Sequence, residues 1–328
     1  MGLFFSNANL PVPAIPTIGV GLYWVYAGST TVMLYSNHPS GSAFIPCFNT
    51  STGQATIVEI KSSQLPMSVN LGSSGANGLD TGSVAANKFY CIRMIAKADG
   101  GSPALLATLN AGTPTIPAAY SGGIQSDILW GVSCSVDYDS SGSTDEISNF
   151  IQSAPGVCRY LSGGGGFPGD GVQALSGGTA TTSTAVDLSH LVPSPIAMTR
   201  QESLGSAMIY AYAANTDVDA ADTRHAYIYY SADGRTMDDA TVIDGVTYND
   251  DGLERLHRFG RLDNATAQGH RDECVSLDFP LACMQTTTAQ GFKSNSTGTL
   301  ANILQYRWTG TASATSMDIY IKGWRLNG

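Results

Sequence analysis

A period of two is the feature that most restricts what this chain can become. Short apolar and aromatic runs recur along it: LYWVYAG (22–28), TTVMLYS (30–36), TIVEIKS (56–62), FYCIRMIAK (89–97), ILWGVSCSV (128–136), AMIYAYA (207–213), HAYIYYS (225–231) and MDIYIKGWRL (317–326). In the last of these Ile319, Tyr320, Ile321 and Lys322 alternate between two faces, and in TIVEIK the residues Ile57, Val58 and Ile60 flank a lone acid. Successive side chains of a strand point to opposite sides, so this pattern specifies half-buried β-strands. Asp99-Gly100, Asp233-Gly234 and Asp251-Gly252 supply turns that tolerate positive φ, and antiparallel sheets follow. With only 13% charged residues and 37 glycines, long solvated helices are not expected. The few helical candidates, around Asp145 to Gln152, are short and peripheral.

The expected fold class is therefore all-β, as two tandem antiparallel β-sandwich domains of jelly-roll type. The densest glycine stretch, LSGGGGFPGDG (161–171), neither packs a core nor holds a regular strand, and the domain boundary is placed there. Residues 19–160 form the first sandwich and 172–328 the second. Residues 1–18 contain Pro11, Pro13 and Pro16, which fix an extended course and remove ladder donors, so this segment reads as an assembly arm needing a partner surface.

A net charge of -10 and a pI near 4.7 leave no basic surface to neutralise phosphates, which argues against nucleic acid and against anionic membranes. The longest apolar stretch, IPTIGVGLYWVYAG, falls short of the roughly 20 residues of a membrane span, so no membrane insertion is expected. The N-terminus lacks the basic region of a signal peptide, and its Gly2/Ser6 match to a myristoylation pattern is short enough to arise by chance. Six cysteines, Cys47, Cys91, Cys134, Cys158, Cys274 and Cys283, form no C-x-x-C pair and read mostly as buried thiols; spacing alone does not reveal any pairing.

Candidate chemistry begins with Asp80-Thr81-Gly82-Ser83, the run that marks aspartic proteases. Those enzymes need two carboxylates sharing one proton, and a single chain carries two such motifs. Here the motif occurs once and follows a Ser/Gly/Asn-rich loop, so Asp80 reads as a turn residue ahead of FYCIRMIAK. In DYDSSGSTDE, Asp137, Asp139, Ser141 and Gly142 imitate the start of a calcium loop, but the closing acid is missing, since Glu146 comes too early. Asp217, Asp219 and Asp222 in DVDAAD read as a solvated loop. His38, His190, His225, His257 and His270 have no metal-ligand spacing, and no nucleophile elbow is present. No catalytic residue, metal or cofactor is assigned, and the chain is not expected to be an enzyme. A depolymerase would require paired carboxylates in a cleft, and the long β-helix repeats of such enzymes are absent.

The stretch GLDTGSVAANKFYCIRMIAKADGGSPALLATLNAGTPTIPAAYSGG (78–123) carries an ordered set of features: GLDTGSVA, an aromatic strand, a D-G turn, ALLAT, then PTIP and an aromatic. In this order it resembles tailed-bacteriophage virion proteins of tail-fibre or tail type. LSGGTATTSTAVDLSHLVPSP (175–195) is similar to the start of the second sandwich domain in such proteins. Together these segments cover less than a quarter of the chain. The resemblance implies a virion location after assembly in the bacterial cytoplasm, a structural role, other tail, portal-proximal or capsid proteins as partners, and a homo-oligomer, first of all a trimer. A capsid decoration, cement or head-fibre protein is the alternative. A host-glycan-binding module is another, with Tyr227, Tyr229, Tyr230, Trp308 and Trp324 as the aromatics that would stack on sugars. Cross-strand packing is the competing reading of those five.

Overall fold

Each of the eight alternating runs forms a strand. The computed structural model describes residues 21–109, 114–134, 146–161, 171–182, 184–188, 190–193, 205–215, 225–231, 241–243, 246–248, 253–259, 271–281, 303–308 and 315–326. Across these residues the fold is all-β, with 3-10 turns at Ser62–Gln64 and Ala118–Tyr120 as the described helical elements.

In the first part of the chain β1 (Leu22–Gly28) and β2 (Thr31–Ser36) make a hairpin, and β3 (Ala43–Asn49) and β4 (Ala55–Ile60) make a second. β5 (Met67–Ser74) pairs with β2 and turns Met67, Val69 and Leu71 inward. The two-residue β6 (Gly78–Leu79) then lies parallel to both β5 and β8 (Ala104–Leu109), which corrects the expectation of purely antiparallel sheets. Asn77, at φ 65°, makes the sharp reversal that this requires, a conformation asparagine tolerates better than most residues. β7 (Lys88–Ala96) pairs with β8 on one side and with β9 (Ile124–Ser126) and β10 (Trp130–Cys134) on the other.

β7, β8 and β10 are buried on both faces. On one side of β7 and β8, Ile95, Ala104 and Leu106 are capped by Ile116 and Tyr120 from the PTIP segment. Residues 146–152, expected as a short helix, instead form a bridge at Ile147 and enter β11 (Phe150–Ala154). Phe150 points into the core and Ile151 out, and this two-residue alternation, which a helix would not deliver, decides the outcome.

β12 (Val157–Tyr160) leaves β11 antiparallel, and the chain re-enters at β13 (Val172–Leu175) after the glycine-rich stretch, of which residues 162–170 lie outside the description. β14 (Thr184–Asp187), β15 (Gly205–Asn215), β16 (Ala226–Ser231), the small pair β17 (Thr241–Ile243) and β18 (Val246–Tyr248), β19 (Leu253–Arg258), β20 (Arg271–Leu281), β21 (Ile303–Trp308) and β22 (Thr315–Leu326) follow. β14, β21, β16 and β19 form a four-stranded sheet. It meets the inner faces of β15 and β22, where Ala207, Ile209, Ala211 and Met317, Ile319, Ile321 are buried in the same hydrophobic cluster as Leu304, Tyr306 and Trp308. The segment after Leu175 crosses between these sheets: Gly178 exchanges backbone bonds with Met317, and the Trp308 amide donates to Ala180 O.

β22 joins the two parts of the chain. One of its edges pairs with β15 along its length, and the other pairs with β13 at Ile319 to Ile321 and with β12 at Gly323 to Arg325. β12 and β13 thus lie end to end along one edge of β22, within a single sheet of 16 described strands. The side chains follow the same course. Trp324 lies 4.7 Å from Trp130 and 6.1 Å from Phe89, ring centre to ring centre, and Trp130 stacks on Trp24 at 6.1 Å. The Tyr160 hydroxyl donates to Leu191 O at 2.6 Å, and the Ser133 hydroxyl donates to His190 O at 2.7 Å, binding residues 190–191 to β10 and β12.

Candidate functional site

Three arrangements carry polar chemistry. The first is the Asp80 motif. Asp80 Oδ1 accepts from the Thr81 amide at 2.8 Å and Oδ2 accepts from the Thr115 amide at 2.9 Å, while its own amide donates to Ala107 O. Both carboxylate oxygens therefore hold backbone, and the Thr115 bond ties GLDTGS to PTIP, two separated pieces of the resemblance. Arg93 lies buried nearby on β7; burial lowers its pKa, opposed by Cys91, Asp127 and Asp80. The geometry is that of a clamp on a loop.

The second is the set of thiols. Cys47, Cys91, Cys134 and Cys158 are buried and in no disulfide among the described residues, and Cys274 is exposed; Cys283 lies outside the described residues. Burial pushes the Cys47 and Cys91 thiols up to about 12 and Cys158 well above its ordinary value, so they stay protonated and behave as apolar groups. Among the described residues no group of three His, Cys, Asp or Glu side chains could hold a metal ion. The acidic stretches 137–142 and 217–222 lie outside the description.

The third is a groove of about 540 Å³ on the outer face of the long sheet. Its origin is visible in β22. Met317, Ile319 and Ile321 point inward at spacing two, but the next inward residue is Trp324, at spacing three. Met208 pairs with Gly323 and Ile209 with Ile321, which leaves Lys322 as the extra residue of a bulge. Gly323, at φ 150°, makes this bulge feasible, because a Cβ there would sit 2.0 Å from Cys158 O. Lys322 is consequently turned to the outer face, its Nζ 4.8 Å from the centre of the Tyr210 ring. Arg159 faces Gly323 from β12, and Ile151 faces Arg159 from β11. On the other side Met208 faces Asp278 of β20. Ile151 and Leu161 are 47% and 45% exposed and supply apolar walls. The outer face is held in place beside the groove, where Gln173 Nε2 donates to the Tyr320 hydroxyl at 3.3 Å and the Gly177 amide donates to Asp318 Oδ1 at 2.8 Å.

Of the aromatics proposed from sequence as sugar contacts, Tyr227, Trp308 and Trp324 do not line this groove. Tyr227, Trp308 and Trp324 are fully buried: Trp324 in the tryptophan cluster, Trp308 with its Nε1 donating to Gly178 O, and Tyr227 beneath the Arg307 guanidinium. They have no surface to offer a ligand, and packing is their role. Tyr229 and Tyr230 belong to β16, with side chains outside the description, as are Pro11, Pro13 and Pro16. Arg159, Lys322, Met208 and Asp278 were not singled out from sequence; the step from spacing two to spacing three in IYIKGW was the available signal.

The described residues thus define an all-β protein with an amphipathic groove on its long sheet. No family model and no curated protein matches the chain. The solved structure of a GH43 glycoside hydrolase, engineered at its active site to display both endo-xylanase and exo-arabinofuranosidase activity, aligns at 9% identity over 94% of this chain. The alignment spans 62% of that structure at a TM-score of 0.19, a value that bears on neither fold nor function. Among the described residues no helix is long and apolar enough to cross a membrane.

Proposed function

We propose that this chain is a structural protein of a bacteriophage virion, a tail-fibre-like or tail-associated appendage, without an enzymatic role. The observation that carries the reading is segment 78–123. The separate features of its resemblance to tail-type virion proteins are physically connected here: Asp80 clamps Thr115, and Ile116 and Tyr120 cap the outer side of β7 and β8. A virion part must be rigid outside the cell, and strands buried on both faces with a shared aromatic core suit that demand. Two parts joined in one sheet through β22 suit a load applied along the chain, and symmetric association would cover the outer strands β4 and β20. A place on the capsid, as a decoration or head-fibre protein, draws on the same physics.

Two measurements test this. Light scattering after size exclusion is expected to give the mass of a homotrimer for the full chain, and a lower mass for a variant lacking residues 1–18 if the proline arm is the assembly element. Antibodies against the full chain are expected to label purified particles of the encoding phage, at the tail for an appendage and over the head for a decoration protein. A monomeric full chain together with unlabelled particles would overturn the reading.

A further inference from the structure

We propose that the groove across β11, β12, β22, β15 and β20 binds an acidic saccharide, its carboxylate held between Arg159 and Lys322. The inference goes beyond the virion reading and does not rest on it.

The register sets out the groove in order. Ile151 faces Arg159, Arg159 faces Gly323 beside the bulged Lys322, Gly323 faces Met208, and Met208 faces Asp278. Neighbouring strands lie about 4.8 Å apart, so five strands give a row of about 19 Å, enough for an oligosaccharide rather than one ring. The row runs from an apolar residue to two cations, an apolar residue and an anion.

Charge selects an anionic ligand. The chain has a net charge of -10, yet two of its 16 basic residues meet here, and among the described residues neither is in an ion pair. A guanidinium fork beside an ammonium suits a carboxylate. Asp278 then narrows the class. Its carboxylate accepts from hydroxyl groups, and Ser276 on the same face adds a hydroxyl, but a second anion placed there would be repelled. The ligand must carry isolated negative charge among hydroxyls, which describes a uronic- or sialic-acid-containing saccharide better than an acidic peptide or a polyphosphate. Ile151, Leu161 and Met208 offer apolar surface to the C–H faces of sugar rings. The strand scaffold holds these groups before any ligand arrives, which limits the entropy lost on binding.

Titration calorimetry on the full chain provides the test, with oligogalacturonate, a hyaluronan oligosaccharide and an α2,8-linked sialic acid oligomer as probes. Carboxyl-reduced forms of each and oligoglutamate serve as comparisons. At least one acidic probe is expected to bind, and to lose at least about tenfold in affinity on carboxyl reduction, in R159Q and in K322Q. D278N, which removes the repelling charge, is expected to let oligoglutamate bind more readily, and K61Q, on an exposed turn remote in sequence, to leave saccharide binding unchanged. R159Q alters an exposed side chain and keeps the fold, verified by an unchanged melting temperature, so it remains decisive if K322Q disturbs the bulge. The proposal fails if no acidic saccharide binds, if binding ignores both substitutions, or if oligoglutamate binds more tightly than every saccharide.

Discussion

Replacing Trp324 with alanine tests the claim that the two parts of the chain share one core. The indole is fully buried against Trp130 and Phe89. An aromatic of this size removes about 150–250 Å² from water. At about 25 cal/mol per Å² this is worth roughly 4–6 kcal/mol, an upper range because the unfolded chain already hides some of that surface. Its buried Nε1 makes no hydrogen bond of full geometry among the described residues and only a weaker approach to the Tyr160 hydroxyl, so its removal returns at most about 1–3 kcal/mol. The cavity left in a rigid aromatic cluster works the other way, and Trp-to-Ala changes in cores cost about 3–5 kcal/mol. The expected loss for Trp324→Ala is therefore about 3–4 kcal/mol. Trp324→Phe keeps a ring against Trp130 and sheds the buried donor, so it should cost less than half as much. The assay is urea unfolding followed by tryptophan fluorescence and by far-ultraviolet circular dichroism. Both probes are expected to shift together to a lower midpoint, because β7 and β10 lose contact with the same side chain that β22 does, and Trp24 of β1 rests on Trp130. A fluorescence transition of Trp24 and Trp130 that stays at the wild-type midpoint while part of the dichroism melts early would refute a shared core.

Asp80→Ala is expected to cost about 1–2 kcal/mol, discounted for partial exposure of the clamp, with Asp80→Asn near half of that because it keeps one acceptor oxygen; melting temperatures check both. Gly323→Ala should cost about 3 kcal/mol or more, since the added carbon meets Cys158 O in a conformation alanine resists, and a variant melting within two degrees of wild type would contradict the bulge. The raised thiols give a pH dependence with a definite sign: their folded pKa values exceed the unfolded ones, so the stabilisation is whole below about pH 9 and is lost as pH rises toward 12. Each of Cys47 and Cys91 then removes about 1.4 kcal/mol per pH unit in that window, with Cys158 acting in the same direction, seen as a falling urea midpoint. A thiol reagent at neutral pH should meanwhile modify Cys274 and spare Cys47, Cys91, Cys134 and Cys158.

Strand positions were legible because alternation is local. LYWVYAG became β1 residue for residue, and MDIYIKGWRL falls wholly within β22. β3 and β20 escaped notice: Pro46 interrupts the apolar run of the first, and the polar residues of RDECVSLDFPL mask the period of the second. The helix expected at 145–152 rested on a local impression, and the pairing of β11 with β1 and β12 overrode it. What joins β12 to β22 is not local: their residues lie roughly 160 positions apart, and nothing in either strand names the other. The aromatics of β16, β21 and β22 do fall on strands, yet a strand pattern alone does not say which face is wet when a second sheet covers it. Of the groove, the bulge was readable from IYIKGW, whereas Arg159, Met208 and Asp278 come together only through register.

The closure by β22 also sets an order of events during synthesis. A ribosome adding about 5–20 residues each second reaches Trp324 some 10–30 seconds after Tyr160 has left it. Until then β12 has an open edge and the pocket between Trp130 and Phe89 lacks its final ring. The early strands form a template waiting for a late piece, so an interrupted chain carries a sticky edge and half a core. Only a chain translated through residue 326 can bury both, so over this span the completeness of translation is a condition for a closed core.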